Sequence, residues 1–251
     1  LDVGSFAPIV AALPLVVVAF VIFAFLPSSL NLLSLGSGSA ATRGVDVARA
    51  HRLAFLSASL ATAGAVSLAG PIGFVGIGNM GAPMVRCLAK AGFRSVLYDV
   101  RPETTAPFAQ GGGPFAVARD LAEVGAAADV VVTMLPDSKI VRAAVMGDAG
   151  RSGLVEGLQR GSVLIDMSSS FPPETQRLGL ELAERGIGLV DAPVSGGVPK
   201  AITGTLAIMA GGEKGLIDRV EPVLAAMGII SRTGPLGSGH AVKSLNNYVS
   251  A

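Results

Sequence analysis

Apolar residues change their spacing along this chain near residue 70. From Val3 to Thr42 no charged residue occurs, and Ala7 to Leu26 (APIVAALPLVVVAFVIFAFL) is apolar throughout. A run of about 20 such residues has the length of a bilayer span. Pro8 and Pro14 would kink a helix there, which a membrane helix tolerates better than a soluble one. Past residue 70 the apolar runs are short and alternate with segments of helical period. Phe74 and Val75 close the first run, a helical pattern passes through Met84, Leu88 and Ala89, and Val96 to Tyr98 make a second strand. Helices are then predicted over Pro102 to Gln110, ending at Gly111, Gly112 and Gly113, and over Ala116 to Val124. Asp129 to Met134 is a β-branched run of the kind buried on both faces of a parallel sheet. Strands at Val163 to Asp166 and Gly188 to Asp191 flank a helix from Pro173 to Arg185, and a last helix opens at Ser238, a plausible N-cap.

Between the first two strands stands FVGIGNMGAPMVRCLAKAGFRSVLYD, with Gly76, Gly78 and Gly81 at G-x-G-x-x-G spacing. In a dinucleotide site the first glycine permits the tight turn, the second lets backbone approach a pyrophosphate, and the third lets helix pack on strand. The N–H groups of Asn79, Met80 and Gly81 would face the phosphates at the positive end of the helix dipole. Asp99 follows roughly 20 residues on, where an acid takes the adenosine ribose hydroxyls. Strands alternating with helices around this unit predict an α/β fold, a Rossmann-type, doubly wound, mostly parallel sheet, preceded by the apolar N-terminal segment. Ligands in such sheets sit at the carboxyl ends of strands, where Asp99, Leu135, Ser169 and Asp191 all fall.

Composition narrows the class. The formal net charge is +1, and no basic run interleaved with aromatics occurs, so nucleic acid is not an expected partner. The single cysteine, Cys87, excludes an intrachain disulfide and falls on the first helix of the glycine unit, where a buried thiol is expected. His51 and His240 are far apart without a ligand cluster around either, so no metal site is expected.

Two further stretches carry chemistry. Ser195, Gly196 and Gly197 follow the strand ending at Asp191 and form a small polar turn able to offer N–H groups and a hydroxyl to a carboxylate; a plain glycine loop is the competing reading. In GSGHAVKSLNNYVSA, Lys243 and Asn247 lie four apart on one helix face. Such a pair ordinarily marks a solvated helix face; Ala241, Val242 and Leu245 beside it predict instead a largely buried helix, in which a lysine pKa can fall into a range useful for proton transfer.

Together these pieces resemble the β-hydroxyacid dehydrogenase family. The resemblance rests on FVGIGNMGAPM at 74–84, DAPVSGG at 191–197 with GTLAIMAGG at 204–212, the K-x-x-N-N pattern of Lys243, Asn246 and Asn247, and the weaker DMSS at 166–169. It covers the chain from about Ile72 to its end and implies a hydride transfer between a nicotinamide cofactor and a small 3-hydroxy acid. Lys243 would be the acid/base group, and Asn247 would hold it in register with the hydroxyl. Ser195, Gly196 and Gly197 would bind the substrate carboxylate, while Leu135, Pro136 and Ser169 would line the cofactor. Lys200 stands where hydroxyisobutyrate-specific members carry glycine, which resembles the threonate-like branch and a more polar sugar acid; a lysine that only faces solvent is the competing reading. Asp99 favours NAD by repelling a 2′-phosphate, and Arg101 keeps NADP open by offering that phosphate a cation.

The expected organisation is an apolar segment over 1–70, a dinucleotide-binding domain over 71–238, and over 239–251 the start of the helix that in the family leads into an all-helical C-terminal domain. That domain is expected to complete the site and the homo-oligomer, so the stop at Ala251 implies a fragment or truncated form with cofactor binding kept and turnover weak or absent. The competing function is an inactive dinucleotide-binding or interaction module. For the first segment three readings stand: a membrane anchor over 7–26, a targeting presequence, or an extraneous stretch, the last prompted by a chain that opens on Leu1 instead of Met. Arg43, Arg49 and Arg52 after the apolar run place that side in the cytoplasm or mitochondrial matrix, with membrane association left open.

Overall fold

The computed structural model describes residues 70–110, 113–148 and 150–249, together with Pro14, Val17, Val18, Val21, 46–49 and 52–54. The chain divides into two compact units, Leu1–Ala69 and Gly70–Ala251. In the first, the described residues are helical apart from Asp46. Most of the apolar run at 7–26 lies outside the described residues. Among the described residues no helix is long and apolar enough to cross a membrane.

The second unit is a sheet with helices on its faces. Strand β1 (Ile72–Val75) leads through the glycine turn to α1 (Gly81–Lys90), then β2 (Ser95–Tyr98), α2 (Pro102–Ala109), β3 (Phe115–Val117), α3 (Leu121–Ala127) and β4 (Val130–Thr133). The second half continues with α4 (Ser138–Met146), β5 (Val163–Asp166), α5 (Pro172–Glu184), β6 (Gly188–Asp191), β7 (Val194–Ser195), α6 (Gly197–Thr203) and β8 (Leu206–Gly211). It closes with α7 (Lys214–Ala225), β9 (Gly228–Gly234) and α8 (Ser238–Val249). The strand order is β3-β2-β1-β4-β5-β6-β8-β7, with β9 paired to β8. The first six strands are all parallel, the 3-2-1-4-5-6 order of a doubly wound dinucleotide fold.

Burial explains why these segments became strands. Phe74, Leu97, Val131, Val132, Leu164, Ile165 and Val190 are completely inaccessible; burying such a side chain contributes about 1.5–3 kcal/mol. Helix α1 turns Met84, Val85 and Leu88 to the sheet and leaves Arg86 in solvent. Cys87 is buried and donates to the carbonyl of Ala201 at 3.3 Å.

Two elements depart from expectation. Where a helix was expected from Ala116, Phe115–Val117 forms an edge strand parallel to β2, and α3 starts only at Leu121, capped by the Asp120 carboxylate on the N–H of Glu123. The half-exposed edge strand has three residues, too few to show a period of two. Beyond β6 the sheet reverses: β8 meets β6 antiparallel at one residue pair, Asp191 with Gly211, and pairs antiparallel with β7 and parallel with β9. Strands β7 and β8 therefore continue past the carboxyl end of β6 as a wall standing on the rim.

Gly76 adopts φ 96°, and a methyl group at Gly81 would overlap the Gly76 carbonyl. Gly81→Ala should therefore destabilise the fold by about 3 kcal/mol. Gly215→Ala in α7, where the nearest atom is a flexible Glu213 oxygen at 3.8 Å, should be neutral or slightly stabilising. Thermal or denaturant unfolding of the two variants checks this.

Candidate active site

The strand order reverses direction between β1 and β4, and a cleft of about 920 Å³ opens there. Gly76, Gly78, Asn79, Met80 and Gly81 form one side, Asp99 and Arg101 one end, and Leu135 and Pro136 the side facing the glycine turn. Helix α1 begins without a side-chain cap, and among the described residues the N–H groups of Asn79, Met80 and Gly81 donate to no acceptor. Free donors at the positive end of a helix suit a phosphate. A methyl group on Gly78 would meet only the Arg101 guanidinium, at 3.6 Å, so the absent side chain opens space instead of relieving a clash. Depth, free donors and a terminal acid fit a dinucleotide.

Asp99 is pinned in place. One carboxylate oxygen accepts the N–H of Ile77 at 2.8 Å and the other accepts the N–H of Arg101 at 2.9 Å. The Arg101 guanidinium lies 3.5 Å from the same acid with 59% of its side chain exposed.

Asp120, Leu121, Ile140, Asp148 and Arg151 also line the cleft, and sequence reasoning missed them. They come from the start of α3 and from α4 and the turn after it, regions without a motif. Ser169 does not line the cleft and is exposed; its neighbour Ser168 is fully buried and accepts the Leu135 N–H at 2.9 Å, tying the loop after β5 to the cleft wall.

Ser195, Gly196, Gly197, Lys200, Lys243 and Asn247 lie outside the cleft lining. Ser195 ends β7, and Gly196 and Gly197 (φ 122° and 65°) turn the chain into α6. The stem of Lys200 lies over Gly196, close enough that a methyl group there would overlap it. Helix α8 departs from expectation in two ways. Val242 and Leu245 are 40% and 63% exposed, so the helix beyond His240 is not largely buried. Its start is also capped from afar: the buried Asp191 carboxylate accepts the N–H groups of Gly237 and His240, each at 2.8 Å, while the Ser238 hydroxyl pairs with Thr233. Lys243 is half-buried, and burial pushes its pKa down. No described residue pairs with its ammonium. Among the described residues no cluster of His, Cys, Asp and Glu could hold a metal ion.

The sequence pattern of the NAD-binding domain of 6-phosphogluconate dehydrogenase matches residues 71–234. Mitochondrial 3-hydroxyisobutyrate dehydrogenase of Mus musculus is 38% identical over 182 residues, which cover 72% of this chain and 53% of that protein. This chain belongs to the β-hydroxyacid dehydrogenase family. Another of its relatives, the 3-sulfolactaldehyde reductase of Escherichia coli, is 36% identical over 181 residues, covering 71% of this chain and 59% of that one. Among solved structures, Mycobacterium tuberculosis 3-hydroxyisobutyrate dehydrogenase with L-serine aligns with a TM-score of 0.67 and 35% identity, over 73% of this chain and 60% of that chain. The chain thus spans little more than half the length of these family members. Residues 4–98 also match the FecCD transport family, overlapping the dinucleotide domain at its first two strands.

Gly78→Ala should leave this family domain folded, since nothing crowds the added methyl, yet weaken dinucleotide binding about tenfold or more by filling the approach to the pyrophosphate. Paired titration calorimetry and thermal unfolding separate the two effects.

Proposed function

We propose that this chain carries the cofactor-binding half of an NAD(P)-dependent 3-hydroxyacid dehydrogenase, with Lys243 as the group that exchanges a proton with the substrate hydroxyl. The observation that supports this most is the docking of α8 at the end of β6: the helix bearing Lys243 starts on Asp191, four residues before Ser195. A bound nicotinamide would accept the hydride from the hydroxyl-bearing carbon; the protein's part is alignment and one tuned base. Ser195 and the N–H groups of Gly196 and Gly197 hold the substrate carboxylate, and Lys200 adds a cation that suits a second polar or anionic group. Asn247 holds the lysine and the hydroxyl together. The two named relatives act on a hydroxy acid and a sulfonated aldehyde, which supports a small acidic substrate without choosing between a hydroxyisobutyrate-like and a sugar-acid one.

NAD is the preferred cofactor in this reading. Asp99 offers its remaining lone pairs to the ribose hydroxyls, and its charge disfavours a 2′-phosphate; Arg101 sets how strongly. In oxidation, the neutral amine of Lys243 is the active form. Because its pKa is lowered, activity should rise with pH through a midpoint below that of an ordinary lysine. In a whole enzyme that contains this half together with a helical domain, Lys243→Ala should cost about a hundredfold or more in hydroxyacid-dependent reduction of NAD, while dinucleotide affinity changes by less than about threefold because the side chain lies outside the cleft. Equal turnover in wild type and variant, or tighter binding of NADP than of NAD, would count against these assignments.

A second reading concerns residues 1–70, for which the apolar run at 7–26 and the FecCD likeness of residues 4–98 support membrane association. Fractionation of the expressed chain should place it in the membrane pellet, resistant to alkaline carbonate; recovery in the supernatant would remove this reading.

A further inference from the structure

His240 is the one histidine among the described residues, 1% exposed, and the chemistry assigned to the site does not use it. Its surroundings are unusual for an imidazole. Asp191 lies 3.5 Å from Nδ1 and Asp166 lies 3.8 Å from Nε2, and both carboxylates are buried. Each acid is already committed. Asp191 caps α8 with both oxygens, and Asp166 accepts the Ser168 N–H and the hydroxyls of Thr133 and Ser170. The ring itself bridges two segments. Nε2 stands 3.1 Å from the Ser168 carbonyl, an acceptor only, so Nε2 carries the proton and donates it there. Nδ1 stands 2.9 Å from the Thr175 hydroxyl in the first turn of α5, and that hydroxyl also lies 3.3 Å from the Phe171 carbonyl.

The bonds form a continuous path. The Leu135 N–H, on the cleft wall, donates to the Ser168 hydroxyl; the Ser168 carbonyl accepts from His240; and His240 sits three residues before Lys243 on α8, hence one turn below it on the same face. We propose that His240 is a positioning residue: through Ser168 it locks the helix that carries Lys243 to the wall of the dinucleotide cleft, and so sets where the lysine amine stands. The restraints on α8 gather at its start, where Asp191 also accepts the Gly237 and His240 N–H groups and the Ser238 hydroxyl meets Thr233. Its later turns are exposed, whereas at its start Gly239 has no room for a methyl group between the Met209 and Asp191 carbonyls. Position is thus fixed at one end, where His240 is the only large buried side chain of the helix.

This inference rests on the reading of Lys243 as the proton acceptor, and its test separates the two. Two quantities are measured on the whole chain, with circular dichroism confirming the fold: hydrogen exchange of the α8 amides around Ala241–Ser244, and the pH profile of Lys243 acylation by mass spectrometry. The variants are His240→Ala, His240→Gln, whose amide nitrogen can replace Nε2, and His240→Asn, whose amide nitrogen can replace only Nδ1. His240→Ala should speed exchange about tenfold and move the Lys243 midpoint towards that of a free lysine. His240→Gln should recover both, and His240→Asn should recover neither. If His240→Ala does not fold, the contrast between the Gln and Asn variants decides alone. Unchanged exchange and acylation across all variants, or recovery by Asn and not by Gln, overturns the proposal. A wild-type Lys243 that acylates like a surface lysine overturns the proton-acceptor reading, while loss and Gln-specific recovery of exchange protection would still support the His240 lock.

Discussion

One close approach shapes everything that follows it in the chain. The first residue of α1 stands so near the end of β1 that no side chain fits between Gly81 and the Gly76 carbonyl. Because helix and strand meet there without a cap, the first N–H groups of the helix stay free and point into the space between β1 and β4. A larger residue would force the helix back, and the cleft would lose both its floor and its donors. The buried apolar strands on either side are what keep so tight a junction closed, since each must leave its site in the sheet before the turn can relax.

The carboxyl ends of β5 and β6 use buried charge for the same end. Asp191 and Asp166 close neighbouring parallel strands in register, a pairing that would be costly if either carboxylate were left without donors. Both are fully engaged, one by the start of α8 and the other by the serine-rich turn after β5. The glycine turn and the lysine helix are thus joined to the same carboxyl edge of one sheet by different means, steric contact in one case and hydrogen bonds in the other.

The parts of this design that were legible in the sequence are those with a local signature. The buried β-branched runs of β4 and β5 and the glycine spacing with its terminal acid each declare themselves within a few residues. What escaped notice depends on chain-distant partners. β3 is an edge strand too short and too exposed to show alternation, so its Ala and Val read as helix. The helical spacing of Val242 and Leu245 gave the face of α8 but not whether anything covers it. His240 stands alone in the sequence because its partners lie 49 and 72 residues away, and Ser238, adjacent to α8, carries the local capping signal although the acceptor comes from the end of β6. The reversal of the sheet after β6 likewise has no marker in the alternation of strands and helices.

The pinning of Asp99 has a consequence for how that end of the cleft tells one visitor from another. A carboxylate on a mobile stem adapts, turning aside when an anion arrives and turning back for a hydroxyl. Here both oxygens are tethered by main-chain donors, so the acid behaves as a stationary charge and adjustment falls to the neighbouring guanidinium, whose side chain is largely exposed. If Asp99 and Arg101 meet the ribose as proposed, discrimination at this rim rests on a fixed pole and one exposed counterweight, and exchanging the counterweight alone would retune it without disturbing the scaffold.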